Sequence, residues 1–333
     1  MTEADLRDLG IHRIPIPVPF VQAGGSVNVY LVEEAGGGIL MVDSGLCTPE
    51  ARTALAQGFE RADRRFDEVT RIVVSHGHVD HYGGARAVME RAGRDVHVLG
   101  HRDDLSKIAE SGWRWRDRMP LYVAHLERLG VPHPLAAAIG ADVGRGFGMA
   151  RRVPAVTALE PGDILRTRHA ALEVHHMPGH TPGLLCLYDA RHRLFFSGDH
   201  LLEKVSPNPI IELGPNGEEG VFRPLVAYLE SIGRLHAMDV DLVLPGHGAP
   251  FGGHRRVIDG LLHFHRKRQA RTREVLSNGP LTCYQVTQAL FPSARGGNLF
   301  LAVSETVANL EVLEVRGDVI RELAGGVYRF RLA

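Results

Sequence analysis

The chain has 333 residues, enough for one large domain or for a large domain with a smaller appendage, and its 44% hydrophobic and 23% charged residues are those of an ordinary globular protein. A formal net charge of −1 excludes general attraction to nucleic acid or an anionic membrane, leaving only local patches. No run of about 18 apolar residues is present, so no membrane-spanning helix or membrane partner is expected.

The first twenty residues, MTEADLRDLGIHRIPIPVPF, carry early acidic side chains and no apolar signal-peptide core. Residues 28–34 (NVYLVEE) and 38–45 (GILMVDSG) read as a hairpin joined by AGGG. Residues 68–78 (EVTRIVVSHGH) form a strand that runs into a polar loop, followed by a helix over 85–92 and a strand at 95–101. Residues 102–152 are helix-like and rich in Arg, Gly and Ala, with Trp113, Trp115, Met119 and Tyr122 close together. They interrupt the strand pattern and are read as a helical insertion beside the site, the other reading being a helical layer with no role in binding. Further strands are expected at 171–179, 184–190, 193–199 and 240–248, with a helix at 222–237 before the last.

From His254 onward, HRRVIDGLLHFHRKRQARTREVLSNG reads as one long helix stopped by NGP. Two further helices and a β pair follow, a winged-helix-like pattern. The expected division is therefore 1–253 and 254–333. Cys47, Cys186 and Cys283 are far apart and form no CxxC pair, which points to a reducing compartment and a cytoplasmic location.

The 19 histidines are more than packing alone calls for, and three of them fall with an aspartate in SHGHVDHYGG (75–84). His76 and His78 are two apart at the end of a strand, so both rings can point the same way. Asp80 and His81 are adjacent and can face a second centre on a tight loop. Four residues cannot complete two metal sites, so further ligands must come from other strand ends. MPGHTPG offers His180, FFSGDH offers Asp199, LPGHG offers His247 and MVDSG offers Asp43. His180, Asp199 and His247 follow one rule: an apolar strand, then Gly or Ser, then a ligand-type residue; Asp43 ends its strand directly before Ser and Gly.

This ordered set resembles the metallo-β-lactamase superfamily over roughly residues 12–250 and includes all five of the family's motifs. The resemblance implies an α/β fold, an αββα sandwich of two mixed sheets with helices outside. It puts His76, His78 and His180 on a first metal, puts Asp80, His81 and His247 on a second, and has Asp199 bridge them. Asp43 would orient a ligand loop or histidine. Two divalent ions are expected, zinc foremost, although imidazole and carboxylate donors suit Fe and Mn²⁺ as well. The implied enzyme is a binuclear hydrolase whose metal-bridging hydroxide attacks a carbonyl or phosphoryl centre. Asp80 would orient the water or accept its proton, and His200 is a candidate substrate contact or proton donor.

Asp199 stands where true β-lactamases place cysteine or serine, which disfavours antibiotic hydrolysis. Glyoxalase II, lactonases, ribonuclease Z-type enzymes and thioesterases carry the same set. Residues SGDHLLEKVSPNP and the C-terminal pattern resemble the β-lactamase-like protein 2 group, which includes members acting on single-stranded RNA and is related to acyl-carrier thioesterases. The chain departs from that group near Lys204, where a histidine is expected. The leading expectation is a thioesterase or esterase taking a small acyl substrate, with the aromatic cap 113–122 receiving an acyl or pantetheine chain and Arg-rich 114–118 an anionic handle. An endoribonuclease is the alternative, supported by the basic helix 254–273; a lactonase is another. The acidic C-terminal segment around Glu305, Glu311 and Glu314 suits packing or a homodimer better than DNA reading. His175 and His176 are expected one buried and one exposed, and His263 and His265 on the helix surface.

Overall fold

Short apolar runs broken by glycine-rich turns build two sheets. The computed structural model describes residues 3–19 and 24–333, without the side chains of residues 3 and 111–115. Trp113 and Trp115 of the expected aromatic cap thus lie outside the described side chains. The first sheet runs β1 (Ile11–Pro17), β2 (Ser26–Glu33), β3 (Ile39–Val42), β4 (Val69–Val73), β5 (His97–Gly100) and β6 (Thr157–Ala158) in that spatial order. It is antiparallel from β1 to β3 and parallel from β3 to β6. β1 carries Pro15 and Pro17 and lies at the edge, where a residue without an N–H is tolerated. The second sheet contains β7 (Ile164–Arg166), β8 (Ala171–His176), β9 (Leu185–Asp189), β10 (Leu194–Gly198) and β11 (Leu242–Pro245), in the order β11-β10-β9-β8-β7.

The sheets pack face to face through Tyr30, Leu40 and Val73 on one side and Leu187, Phe196 and Leu244 on the other. The Tyr30 and Phe196 rings meet edge-on with centroids 5.3 Å apart. Helices cover the outer faces. α1 (Glu3–Asp8) leads into β1; Phe59 of α2 (Pro49–Arg61) and Val88 of α4 (Ala85–Ala92) pack on Met41 and Ile72 of the first sheet. Between them lies the single turn α3 (Val79–Tyr82). The second sheet presents Cys186, Phe195 and Val243 to Tyr228 and Ile232 of α7, which follows the insertion helices α5 (Leu105–Arg128) and α6 (His133–Phe147) and spans Pro224–Ala237. Ile258 of α8 (His254–Leu276) completes that layer. Burying each such side chain contributes about 1.5–3 kcal/mol. This is the αββα sandwich, with a C-terminal helical region and a β-hairpin added.

The C-terminal region comprises α8, α9 (Cys283–Leu290), α10 (Gly297–Val315) and the hairpin β12 (Val319–Ala324) and β13 (Val327–Leu332). Thr282 caps α9 by accepting from Gln285 N while the Gln285 side chain accepts from Thr282 N. Its core is not separate from the insertion: Val303, Leu310 and Phe330 share one apolar cluster with Tyr122, Leu126 and Ile139 of α5 and α6. The two regions that stand apart in sequence therefore fold against each other. Among the described residues no helix is long and apolar enough to cross a membrane.

Candidate metal centre

The strand ends of both sheets meet along one edge. β3 delivers Asp43, β4 runs into His76 and His78, and α3 carries Asp80 and His81. The β8–β9 connection delivers His180, and β10 and β11 end at Asp199 and His247. His76, His78 and His180 form one group of converging donor atoms; Asp80, His81 and His247 form another, and Asp199 joins His76 and His81 in a third.

His76 Nε2 lies 3.0 Å from His78 Nδ1. Asp199 reaches all sides of the cluster: its oxygens lie 3.5 Å from His81 Nε2, 3.5 Å from His180 Nε2 and 3.4 Å from His247 Nε2. Asp80 Oδ2 is 3.4 Å from His247 Nε2. Gly246 makes this approach feasible, because a Cβ there would lie 2.3 Å from Asp199 Oδ1.

The outward ring nitrogens are held. His180 Nδ1 donates to the Asn208 carbonyl at 2.9 Å, and His247 Nδ1 donates to the Ser26 carbonyl at 2.6 Å. His81 Nδ1 is 2.7 Å from Asp43 Oδ2, and His76 Nδ1 is 3.0 Å from Ser75 Oγ. These bonds fix the tautomers and turn Nε2 inward. Asp43 adopts a positive φ of 61° and also accepts from Ser75 N at 2.7 Å and Ser75 Oγ at 2.9 Å, so one carboxylate ties the β3 end to the histidine loop.

Burial drives His76 and His180 toward the neutral form and takes His78 to about 3. Burial opposes the cationic form of His81 too, but Asp199, Asp43 and Asp80 outweigh it and raise its pKa well above the usual value. His247, also desolvated, is raised to about 10 chiefly by Asp199. The Asp199 carboxylate is itself desolvated, yet His247 and His81 hold its pKa well below the ordinary range. His81 Nε2, His180 Nε2 and Asp199 Oδ1 are buried with no hydrogen-bond partner in the protein. Buried donors of this kind, all aimed at one space, fit a divalent cation.

A cavity of about 640 Å³ opens from the cluster at Gly77, His78, Val79 and Asp80. The insertion walls it with Lys107, Tyr122, Val143 and Phe147, the 210–222 loop adds Ile211 and Leu213, and α10 adds Phe300. Sequence reasoning missed the groups that join wall to centre. The fully buried Asp104 accepts from Gly77 N at 2.9 Å and from Thr181 Oγ1 at 2.6 Å, and pairs with Lys107 Nζ at 3.0 Å. Lys107 also pairs with Glu212, whose pKa burial raises. Nothing in the local string HRDDLSK marks Asp104; the acidic residue opening a helix is the only signal.

Other residues fall elsewhere. His200 is completely buried against Tyr228, with ring centroids 5.4 Å apart; burial lowers its pKa to about 3, and it is not part of the cavity wall. His101 stacks on His176 at 3.9 Å. His175 and His176 are both half-buried, not one in and one out: the His176 ring stacks on His101 and its Nε2 donates to the Pro182 carbonyl at 2.7 Å, while the His175 ring lies edge-on to Tyr188 with centroids 6.0 Å apart. His265 is buried, contrary to expectation, on the inward stripe of α8 with Ile258, Leu261 and Gln269, whereas His263 is exposed. Lys204 is exposed and does not reach the cavity. On the basic helix, Arg255 pairs with Asp239, Arg268 with Glu305, Arg271 with Glu274 and Arg273 with Asp318.

The fold and this centre agree with the comparisons to known proteins. The chain belongs to the Metallo-beta-lactamase superfamily, whose family model matches residues 23–247. It is 29% identical over 328 residues to the probable metallo-hydrolase YqjP of Bacillus subtilis (strain 168), covering 96% of each chain. It is 26% identical over 249 residues to the acyl-coenzyme A thioesterase MBLAC2 of Homo sapiens, covering 71% of this chain and 78% of that one. Among solved structures, the metallo-beta-lactamase family protein TTHA1429 from Thermus thermophilus superposes with a TM-score of 0.81 at 27% identity, covering 97% of this chain and 99% of that one.

Proposed function

We propose that the chain is a hydrolase of acyl thioesters or esters that works with two divalent metal ions. The observation that carries this reading is a seven-residue His/Asp cluster opening directly into a largely apolar cavity. The similarity to an acyl-coenzyme A thioesterase supports it. His76, His78 and His180 would hold one ion, Asp80, His81 and His247 the other, with Asp199 shared. Imidazole and carboxylate donors without a cysteine suit zinc, and also Fe or Mn²⁺. Bound ions would supply a water of lowered pKa and a Lewis acid for the carbonyl oxygen.

The chain's own residues do the rest. Asp80, at the cavity mouth, orients the attacking water and takes its proton. The outward bonds from His180 and His247 to backbone carbonyls keep the inward nitrogens aimed at the cluster. In a thioester the C–S bond breaks, a carboxylic acid forms and a thiol leaves. His200 contributes packing beneath the site rather than a group in the cavity.

RNA cleavage is the weaker reading, because four of the basic residues on α8 are already paired with carboxylates. We read the C-terminal helices and hairpin as a winged-helix-like unit used for packing: Glu305 is tied to Arg268 at 2.8 Å, and Glu311 is buried. A cytoplasmic location is part of the same proposal. A panel of acyl-thioesters, esters, lactones and phosphodiesters offered to metal-loaded protein tests the reaction. Turnover of thioesters is expected; turnover of phosphodiesters alone would replace this reading with the nuclease.

A further inference from the structure

We infer that the cavity beside the metal centre is the seat of an apolar acyl chain, and that α6 sets the chain length the enzyme accepts. The inference rests on the thioesterase reading and deepens it. His78 and Asp80 form part of the cavity wall, so a carbonyl at the metal centre has its substituent within reach of the cavity. Most of the remaining wall is apolar: Tyr122, Val143, Phe147, Ile211, Leu213 and Phe300 come from four separate segments. A volume of about 640 Å³ lies within the range of small-molecule sites.

The charged groups of the wall argue for an uncharged occupant. Lys107 is engaged by Asp104 and Glu212, and Arg118 Nη2 donates to the carbonyls of Leu213 and Gly214 at 2.6 and 2.8 Å. Asp80, Asp103 and Glu212 add carboxylates to the same wall. Both described cations of the wall are thus committed to the protein, and a phosphate or nucleotide would meet carboxylates rather than available cations. Of the described part of the expected anionic handle, Arg116 is not part of the cavity wall and Arg118 holds the 213–214 backbone.

Gly146 gives the inference a direct probe. It lines the cavity, and a Cβ added there would meet nothing within 4 Å. An added Cβ at this lining position therefore has room. Val143 lines the same cavity one turn earlier on α6.

The test measures kcat/KM on straight-chain acyl thioesters from two to sixteen carbons, with metal-loaded wild type, Gly146→Phe and Val143→Phe. Calorimetric binding of the uncharged 1-dodecanol to the same three proteins in metal-free form is the second arm. Melting temperatures within a few degrees of wild type establish that a variant is folded, and Val143→Phe serves if Gly146→Phe is not. In wild type, kcat/KM should rise roughly fourfold per methylene, the ~0.8 kcal/mol of one buried CH₂, until the cavity is full and then level off. Both variants should level off at shorter chains, and their ratio of long-chain to acetyl kcat/KM should fall tenfold or more. A flat length profile in wild type, or an unchanged plateau in a folded variant, overturns the inference while leaving the thioesterase reading intact. If no thioester turns over, the reaction assignment falls and binding decides: 1-dodecanol held by wild type and lost in Gly146→Phe upholds the cavity, and no binding to wild type overturns it.

Discussion

The carboxylate of Asp104 accepts a hydrogen bond from Thr181 Oγ1 at 2.6 Å, and the same oxygen accepts from Gly77 N at 2.9 Å. These partners stand next to His180 on one loop and between His76 and His78 on another. One buried oxygen thus joins two loops that carry three of the metal-type histidines. A Cβ on Gly183 would lie 2.8 Å from the Asp104 carboxyl carbon, so the glycine is what lets the β8–β9 loop come this close.

Asp104→Asn keeps the shape and removes the charge. It should weaken metal binding about tenfold, the low end for loss of a partner behind the ligands, as read by competition with a chromophoric chelator. Asp104→Ala leaves the buried donors Gly77 N and Thr181 Oγ1 without a partner and Lys107 with Glu212 alone, and should cost about 3–5 kcal/mol of stability by urea denaturation. A wild-type melting curve and metal affinity for Asp104→Ala would remove Asp104 from this role.

Asp199 sits within 3.5 Å of ring nitrogens on both sides of the cluster. Asp199→Ala should lower metal content and activity together. Gly246→Ala should produce a milder form of the same loss, because the new Cβ pushes on Asp199 Oδ1. Elemental analysis of purified variants checks both. Two metals and full activity in Asp199→Ala would disprove the shared position.

Glu311 on α10 is desolvated, and burial raises its pKa to about 7, against the opposing effect of Arg223 and Arg321 and with a further push from Glu314. A carboxyl whose folded pKa exceeds its unfolded value stabilises fully below about pH 4.5, and this contribution disappears as pH rises through 7. Glu311→Gln stays neutral. It should match wild type near pH 4 and exceed it at pH 8 by up to about 3 kcal/mol. Denaturation at the two pH values measures the difference, and equal stabilities at pH 8 would contradict the assignment.

Phe330 of β13 is fully buried in the cluster that includes Tyr122 and Leu126 of α5. Phe330→Ala should cost about 3–5 kcal/mol. A chain ending at residue 253 should fail to give soluble, cooperatively melting protein, because α5 and α6 lose their partner face. A stable, cooperatively melting 1–253 fragment would show that the sandwich and insertion stand without the C-terminal region.

The strands that end in metal-type residues are legible because each couples an apolar run to a small residue and then to His or Asp, a purely local pattern. The αββα arrangement follows from that pattern through the family resemblance, and all seven metal-type residues meet in one cluster. β1 is silent in sequence because Pro15 and Pro17 read as a loop, and only edge pairing to β2 makes it a strand. Asp104 and Glu212 are silent for a different reason: apart from Lys107, three residues after Asp104, their partners lie 27 to 105 residues away, and no spacing rule reaches that far. The joining of α5 and α6 to α10 is hidden likewise, since each helix is merely amphipathic until its partner is known. His265 was within reach, because its spacing from Ile258, Leu261 and Gln269 places it on the buried stripe of α8.

The central claim is that this His/Asp cluster, once loaded with metal, hydrolyses an acyl thioester. Stepwise addition of zinc to chelator-stripped protein, with hydrolysis of a medium-chain acyl thioester followed at each step, tests it most directly. Activity should be absent at the start and reach its full value at two equivalents of metal. Undiminished hydrolysis by the stripped protein, or no hydrolysis with two equivalents bound, would contradict it.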